Sequence, residues 1–346
     1  MFDWVLLVIL VILVNFLPGI HANLLAILLA PFFSVEQLAF ALGLHFILSI
    51  LPSILYSVSQ EVAAAPLINR LAQKDAYSTT YVFVMSAFIA ALAALLFPPD
   101  YQALYHFLRP YLFYIVLFIA TYHFLSLNGK GIFLLSGLWG YYALHEDRMF
   151  SLFSGLFAIP YLLFYKPATL SFSRSSPSLH PSPIITGIIL GMFSLLLPGV
   201  SPPSVISTLV PIYTNYHFLS YYSAIASTQY ILAIDNYLQT NKLRNAYVEY
   251  IPSYSAKYFL ILGIVVGGFL VFFLLPHLPT IPESARWPLL VLILSTSFLL
   301  EGIMGLFSLL ISSVIGITAA RIGASPSSML GIIILPTLIL LARQLG

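Results

Sequence analysis

Two Leu-Pro-Gly triplets stand 180 residues apart, Leu17-Pro18-Gly19 and Leu197-Pro198-Gly199, and short polar side chains follow each one. His21 and Asn23 follow the first; Ser201, Ser204, Ser207 and Thr208 follow the second. The match continues without a gap to Leu29/Leu209 and Pro31/Pro211, so the chain reads as a repeat in two halves. These residue types suit binding rather than bond-making. Proline removes a backbone donor and glycine lets the chain turn, so each triplet frees main-chain groups that can hold a ligand. His21 is the only titratable side chain in the pair, and histidine changes charge most readily near neutral pH. It is therefore a candidate to bind a carboxylate or phosphate, or to carry a coupling proton. The plainer role is local: Asn23 and Ser201 would cap helices, and His21 would satisfy a freed carbonyl.

Each triplet ends an apolar run, Val5 to Leu17 and Ile184 to Leu197, which places the break within the hydrocarbon layer. Freed amides and carbonyls there cost several kcal/mol each unless they line a protein cavity. A new helix is expected from about Ala22 and from about Pro202, with its amides and its positive end suited to an anion. Interrupted apolar segments at corresponding positions of two halves point to the binding site of a secondary transporter.

Further polar residues lie near later segments. Ser227, Thr228 and Gln229, and in the first half Ser57 and Ser59, would complete a polar pocket or, alternatively, let helices pack closely. Glu301 lies inside the apolar run Phe298 to Met304 and needs a partner or a proton, which makes it a second coupling candidate. Glu36 and Asp235 read as interfacial acids, and His45 and His123 as histidines bonded within the core or at an interface.

Sixty per cent of the residues are hydrophobic and 7% are charged, with a net charge of +2 and a mean hydropathy of +1.01. This is the composition of an all-α polytopic membrane protein, a multi-pass protein of a prokaryotic cell membrane. No basic stripe serves nucleic acid. The chain has no cysteine, and it carries no glycine-rich phosphate loop with lysine and no His-Glu-x-x-His, so no enzyme is expected. Met1 leads directly into the first membrane segment rather than a cleaved leader.

About ten crossings are expected. Residues 1–165 form a first repeat with extra spans, 166–183 an exposed linker rich in serine and proline, and 184–346 a second repeat; the balance of Arg70 and Lys74 against Lys242 and Arg244 favours inverted repeats over the parallel alternative. A polar stretch from Ser57 to Ser78 should meet water. Spans are expected at about 287–306 and 307–321. No cofactor is expected; the coupling ion is H+ or Na+, and the oligomeric state is left open, a homodimer among the alternatives.

The segments Leu17-Pro18-Gly19-Ile20-His21-Ala22-Asn23, Ile50 to Leu55 and Ala226-Ser227-Thr228-Gln229, the last leading to Lys242-Leu243-Arg244, together resemble the large membrane subunit of tripartite tricarboxylate transporters, the TctA family. The likeness is greatest to its compact archaeal-type branch. The resemblance implies cation-coupled uptake of small carboxylates, with a small membrane subunit and an extracytoplasmic binding protein as partners. It places the substrate at the two loops, hence at Pro18, Gly19, His21, Asn23, Pro198, Gly199 and Ser201. The paired Pro-Gly pattern also looks like the polyprenyl-phosphate translocases that recycle the lipid carrier of envelope synthesis, and positive helix ends serve carboxylate and phosphate alike. A membrane scaffold without transport is a third reading, against which the cost of the duplicated breaks argues.

Overall fold

The computed structural model describes residues 2–16, 20–56, 65–144, 148–164, 170–172, 177–199, 216–278 and 283–344. Pro18, Gly19, Ser57, Ser59, Ser201, Ser204, Ser207 and Thr208 lie outside the described residues. Within them the chain is helical, and no strand is present. Apolar segments in hydrocarbon must satisfy their own backbone, and a helix does so within one segment.

Six helical stretches are long and apolar enough to cross a membrane: Val35–Leu55, Leu67–Leu96, Tyr101–Ser126, Ala256–His277, Arg286–Arg321 and Pro326–Arg343. The sequence reading expects about ten crossings. The difference has physical causes. Three apolar helices, at Asp3–Asn15, Met149–Leu163 and Pro181–Ser194, are shorter. A helix at Tyr216–Thr240 is long enough, but it carries Ser220, Ser223, Ser227, Thr228, Gln229, Asp235 and Asn236, all buried. Protein covers these groups, so the helix need not be as apolar as one that faces lipid. The two spans expected at 287–306 and 307–321 form one run, interrupted instead at Gly302 by φ 67° and ψ −159°.

In chain order the first group of helices is α1 (Phe2–Asn15), α2 (Ala22–Leu29), α3 (Val35–Leu48), α4 (Ile50–Tyr56) and α5 (Ala65–Leu96). Then come α6 (Tyr101–Leu108), α7 (Leu112–Ser126), α8 (Lys130–Ala143), α9 (Met149–Phe153) and α10 (Ile159–Leu163), the last two joined by a π-helical turn at Ser154–Ala158. The remaining helices are α11 (Pro181–Ser194), α12 (Tyr216–Thr240), α13 (Ala256–Leu274), α14 (Arg286–Arg321) and α15 (Gly331–Arg343). Helix α11 starts inside the segment expected to be linker, because proline is well tolerated in a first helical turn.

The helices gather around two cores. One is formed by α1 to α5 with α11, α12 and α13. The other joins α7, α8, α14 and α15. The 149–163 helix and α14 serve both: Phe150, Ala158, Ile159 and Leu162 with Ile293 and Leu309 lie on the first core, and Leu152, Leu156 and Phe157 with Ala319 on the second. In the first core the longest helix pairings are α3 along α13 and α12 along α5, while α11 packs on α12 and α1 on α3.

Small residues set these distances. A Cβ on Gly43 would lie 2.0 Å from the Leu260 carbonyl oxygen, and one on Gly263 would lie 2.2 Å from that of Phe40, so α3 and α13 touch backbone to backbone. Lipid gives no hydrophobic reward for helix association, which leaves close van der Waals packing of this kind as a main source of affinity. Between α12 and α13 a buried ion pair forms, with Lys257 Nζ 2.8 and 3.0 Å from the carboxylate oxygens of Asp235. Asp235 is thus not interfacial, since α13 supplies the cation that its burial requires.

The polar stretch expected to meet water divides along its helix. Arg70, Gln73 and Lys74 are exposed, whereas Asn69, Asp75 and Ser78 are buried. Asp75 interrupts α5 with φ −160° and ψ 102° and caps the helix that follows, accepting hydrogen bonds from Ser78 N at 3.1 Å and from Ser78 Oγ at 2.5 Å. The freed amide of Ala76 donates to Ser171 O at 2.8 Å, so the linker is tied down at this point.

Gly43→Ala should force α3 and α13 apart and lower stability by about 1–3 kcal/mol. Gly131→Ala, where a Cβ would meet nothing within 4 Å, should be neutral or stabilising by up to about 1 kcal/mol. Thermal unfolding of the two purified variants in detergent checks the pair, and equal melting temperatures would contradict the packing.

Candidate functional site

The described flanks of both breaks converge on one short segment, Arg244 to Tyr247. Helix α11 ends at Ser194, just ahead of Pro198 and Gly199. Its last carbonyls lack partners within the helix, and Arg244 supplies them. Nε donates to Leu195 O at 3.2 Å and a terminal guanidinium nitrogen donates to Leu196 O at 3.3 Å. Three residues further on, Tyr247 N donates to Asn23 Oδ1 at 3.1 Å, at the start of α2 beyond the first break. The Tyr247 ring stacks on Tyr230 with centroids 5.3 Å apart, and its hydroxyl donates to Tyr230 O at 2.9 Å. Asn23 therefore does not cap its own helix; it holds the bridging segment.

The cap of α2 is His21. Its Nδ1 accepts from Leu24 N at 3.4 Å, so its local role is to satisfy a freed amide rather than the freed carbonyl expected from the sequence. That bond needs an unprotonated Nδ1, so a charged His21 would lose it. The ring meets Phe153 edge-on at 6.2 Å. Phe153 is the last residue of α9 and directly precedes the π-helical turn. Ser154 opens that turn, and its hydroxyl is buried without a partner among the described residues. Local π-helical turns recur at functional sites. Across the second break Gly199 has φ 70°, and a Cβ there would lie 2.3 Å from Thr337 Oγ1 of α15. The flanks of the first break thus face the 149–163 helix and those of the second face α15, so both lie where the two groups of helices meet.

The trio on α12 takes three different roles. Ser227 Oγ donates within its own helix to Ala224 O at 3.4 Å. Thr228 packs against Gly191 of α11, and its hydroxyl is buried without a partner among the described residues. Gln229 donates to Ser194 Oγ, fastening α12 to the last residue of α11.

Glu301 meets the 149–163 helix, whose Phe153 faces His21. Its carboxylate accepts from Phe150 N at 2.8 Å, from Ser151 N at 3.2 Å and from Ser151 Oγ, at the start of the 149–163 helix. An acid is favoured at the positive end of a helix, and here it locks the kinked α14 to α9. His123 Nε2 lies 3.1 Å from Ser327 O, within the second group.

In the sequence Arg244 stands out only at the end of the run that leads on from Gln229 to Lys242. Its function at the break arises from folding that connection back onto α11, and the local pattern carries no sign of that. Partial burial holds its guanidinium below the ordinary value for arginine, a sign that the charge lacks solvent here. No carboxylate pairs with it among the described residues. Two of its five N–H donors are used on Leu195 and Leu196, and the others have no hydrogen-bonded acceptor among the described residues.

Glu301→Gln should remove an acceptor from the paired amides and lower stability by about 1–3 kcal/mol, while leaving the pH dependence of any bound-anion effect unchanged. Thermal unfolding across pH, with and without anion, checks this; an altered pH dependence would restore Glu301 as a coupling group. No protein-family model, no curated protein and no solved structure matches the chain.

Proposed function

We propose that this protein is a secondary transporter of a small organic anion, a dicarboxylate or tricarboxylate, working by alternating access with H+ or Na+ as the coupling ion. The observation that carries the reading is Arg244: a partly buried guanidinium without a carboxylate partner among the described residues, bonded to the end of α11 on a segment whose Tyr247 also reaches Asn23 beyond the first break. A partly buried cation of this kind is stabilised by an anion. Arginine's planar fork fits a carboxylate with two parallel hydrogen bonds.

The exchange of partners in the first core supports two repeats. The third segment of the first half (α3) packs on the fourth of the second (α13), and reciprocally α12 packs on α5. A two-fold relation between the halves produces this reciprocity. The position of the break flanks between two groups of helices supports a mechanism in which one group rocks against the other around a fixed site. Pro18, Gly19, His21 and Asn23 would contribute from the first half. Pro198, Gly199, Ser201 and Ser204 would contribute from the second, with Ser227, Thr228 and Gln229 holding the end of α11.

Citrate, succinate, inorganic phosphate and a short-chain polyprenyl phosphate, each added to the purified protein, provide the test. A ligand of the native state raises the melting temperature by mass action, about 2.7 kcal/mol at one hundred times its Kd. Citrate or succinate is expected to stabilise the wild type and to lose most of that effect in Arg244→Gln. Stabilisation by polyprenyl phosphate alone would reassign the site to a lipid headgroup, and an unchanged carboxylate effect in Arg244→Gln would overturn the site.

A further inference from the structure

The two helices that run into the breaks end differently. At the end of α11, the carbonyls of Leu195 and Leu196 receive a cation from the chain itself, the Arg244 guanidinium. At the end of α1, no side-chain cation is hydrogen-bonded to the terminal carbonyls among the described residues. There the last residue is Asn15, only 6% exposed. Its Nδ2 donates to Val11 O at 2.8 Å, which fixes the amide orientation, since an oxygen in that place would oppose another oxygen. Oδ1 is then left buried with no hydrogen-bond partner among the described residues.

A buried amide oxygen without a donor costs about 1–3 kcal/mol, and here it lies at the negative end of a helix. Among the described residues, one bond from beyond the helix reaches that last turn: Phe16 N donates to Leu13 O at 3.2 Å. An oxygen side chain beside carbonyls at a helix end is a donor set for a hard cation. The residues of the turn, Leu13, Val14, Asn15 and Phe16, include no carboxylate, whereas divalent calcium and magnesium sites draw on carboxylates. The set therefore suits a monovalent ion.

We propose that the last turn of α1 is a sodium site, with Asn15 Oδ1 as its side-chain ligand and main-chain carbonyls of the same turn as further ligands. Sodium occupies at the first break the place that the Arg244 guanidinium takes at the second. Both positive charges then stand beside the anion site. The role of this ion in coupling rests on the transporter reading; its binding does not.

The test uses the purified full-length protein without organic anion. Its melting temperature is measured in NaCl and in KCl at equal ionic strength, for the wild type, Asn15→Leu and Asn15→Asp. Sodium is expected to raise the wild-type melting temperature saturably relative to potassium. Asn15→Leu should lose that difference, and Asn15→Asp, which adds charge to the ligand oxygen, should reach half its shift at a lower sodium concentration. Equal wild-type values in the two salts overturn the site, as does a full sodium shift in Asn15→Leu. If Asn15→Leu does not fold, Asn15→Asp decides, and an unchanged half-point overturns the proposal. Carboxylate stabilisation measured in both salts separately tests the transporter reading, so a sodium shift without a carboxylate effect in either salt condemns that reading and leaves the site standing.

Discussion

A backbone carbonyl or amide without a partner is costly in hydrocarbon, and this chain interrupts its helices repeatedly. The rest of the structure follows from how those interruptions are satisfied. Arg244 holds the end of α11, His21 the start of α2, Asp75 the restart of α5, and Glu301 the start of α9. Asn69 Nδ2 donates at 2.5 Å to Ile54 O in the last turn of α4. Only 7% of the chain is charged, yet three of these five positions use a charged side chain. Hydrogen bonds to charged groups contribute about 1.5–3 kcal/mol, roughly twice the neutral kind, so a scarce charge has most effect at an open helix end.

Satisfying the breaks also determines where they can lie. The segment that supplies Arg244 and Tyr247 runs between α12 and α13, and the buried Asp235–Lys257 pair joins those helices at its base. One connection, fixed at its base, thus reaches both halves of the chain. Phe153 and Thr337 close the other side from the second group of helices. The polar machinery is concentrated where two apolar bodies meet, a location in which irregular backbone is tolerated because protein covers it.

Much of this was legible from local sequence. The apolar runs place most helices to within a few residues, since hydropathy and backbone satisfaction act locally. The duplicated Leu-Pro-Gly triplets mark the breaks, because proline and glycine act through their own backbone geometry. A capping side chain just ahead of the apolar run is expected, but at Asn23; His21 takes that place because Asn23 is drawn away to Tyr247 N. What the sequence did not yield depends on distant partners. Asp235 looks interfacial until Lys257, on the next helix, is brought against it. Glu301 looks unpartnered in its apolar run until the amides of Phe150 and Ser151 arrive. Arg244 looks like one of several loop cations until the loop folds onto α11. The polarity of α12 hides a long helix from any hydropathy count, because its neighbours, and not lipid, cover it.

The central claim is that the break flanks lie between two groups of helices that move against each other around an anion. With no native cysteine in the chain, spin labels can be placed at Lys74→Cys on α5 and Lys130→Cys on α8, both exposed and in different groups. A pair within one group, Lys130→Cys and Arg321→Cys, serves as reference. The most direct measurement is the distance distribution for both pairs in lipid nanodiscs, with and without the stabilising anion. Two populations for the pair between groups, shifted by the anion while the reference pair stays fixed, is the predicted result. A single between-group distance that the anion leaves unchanged would contradict the account.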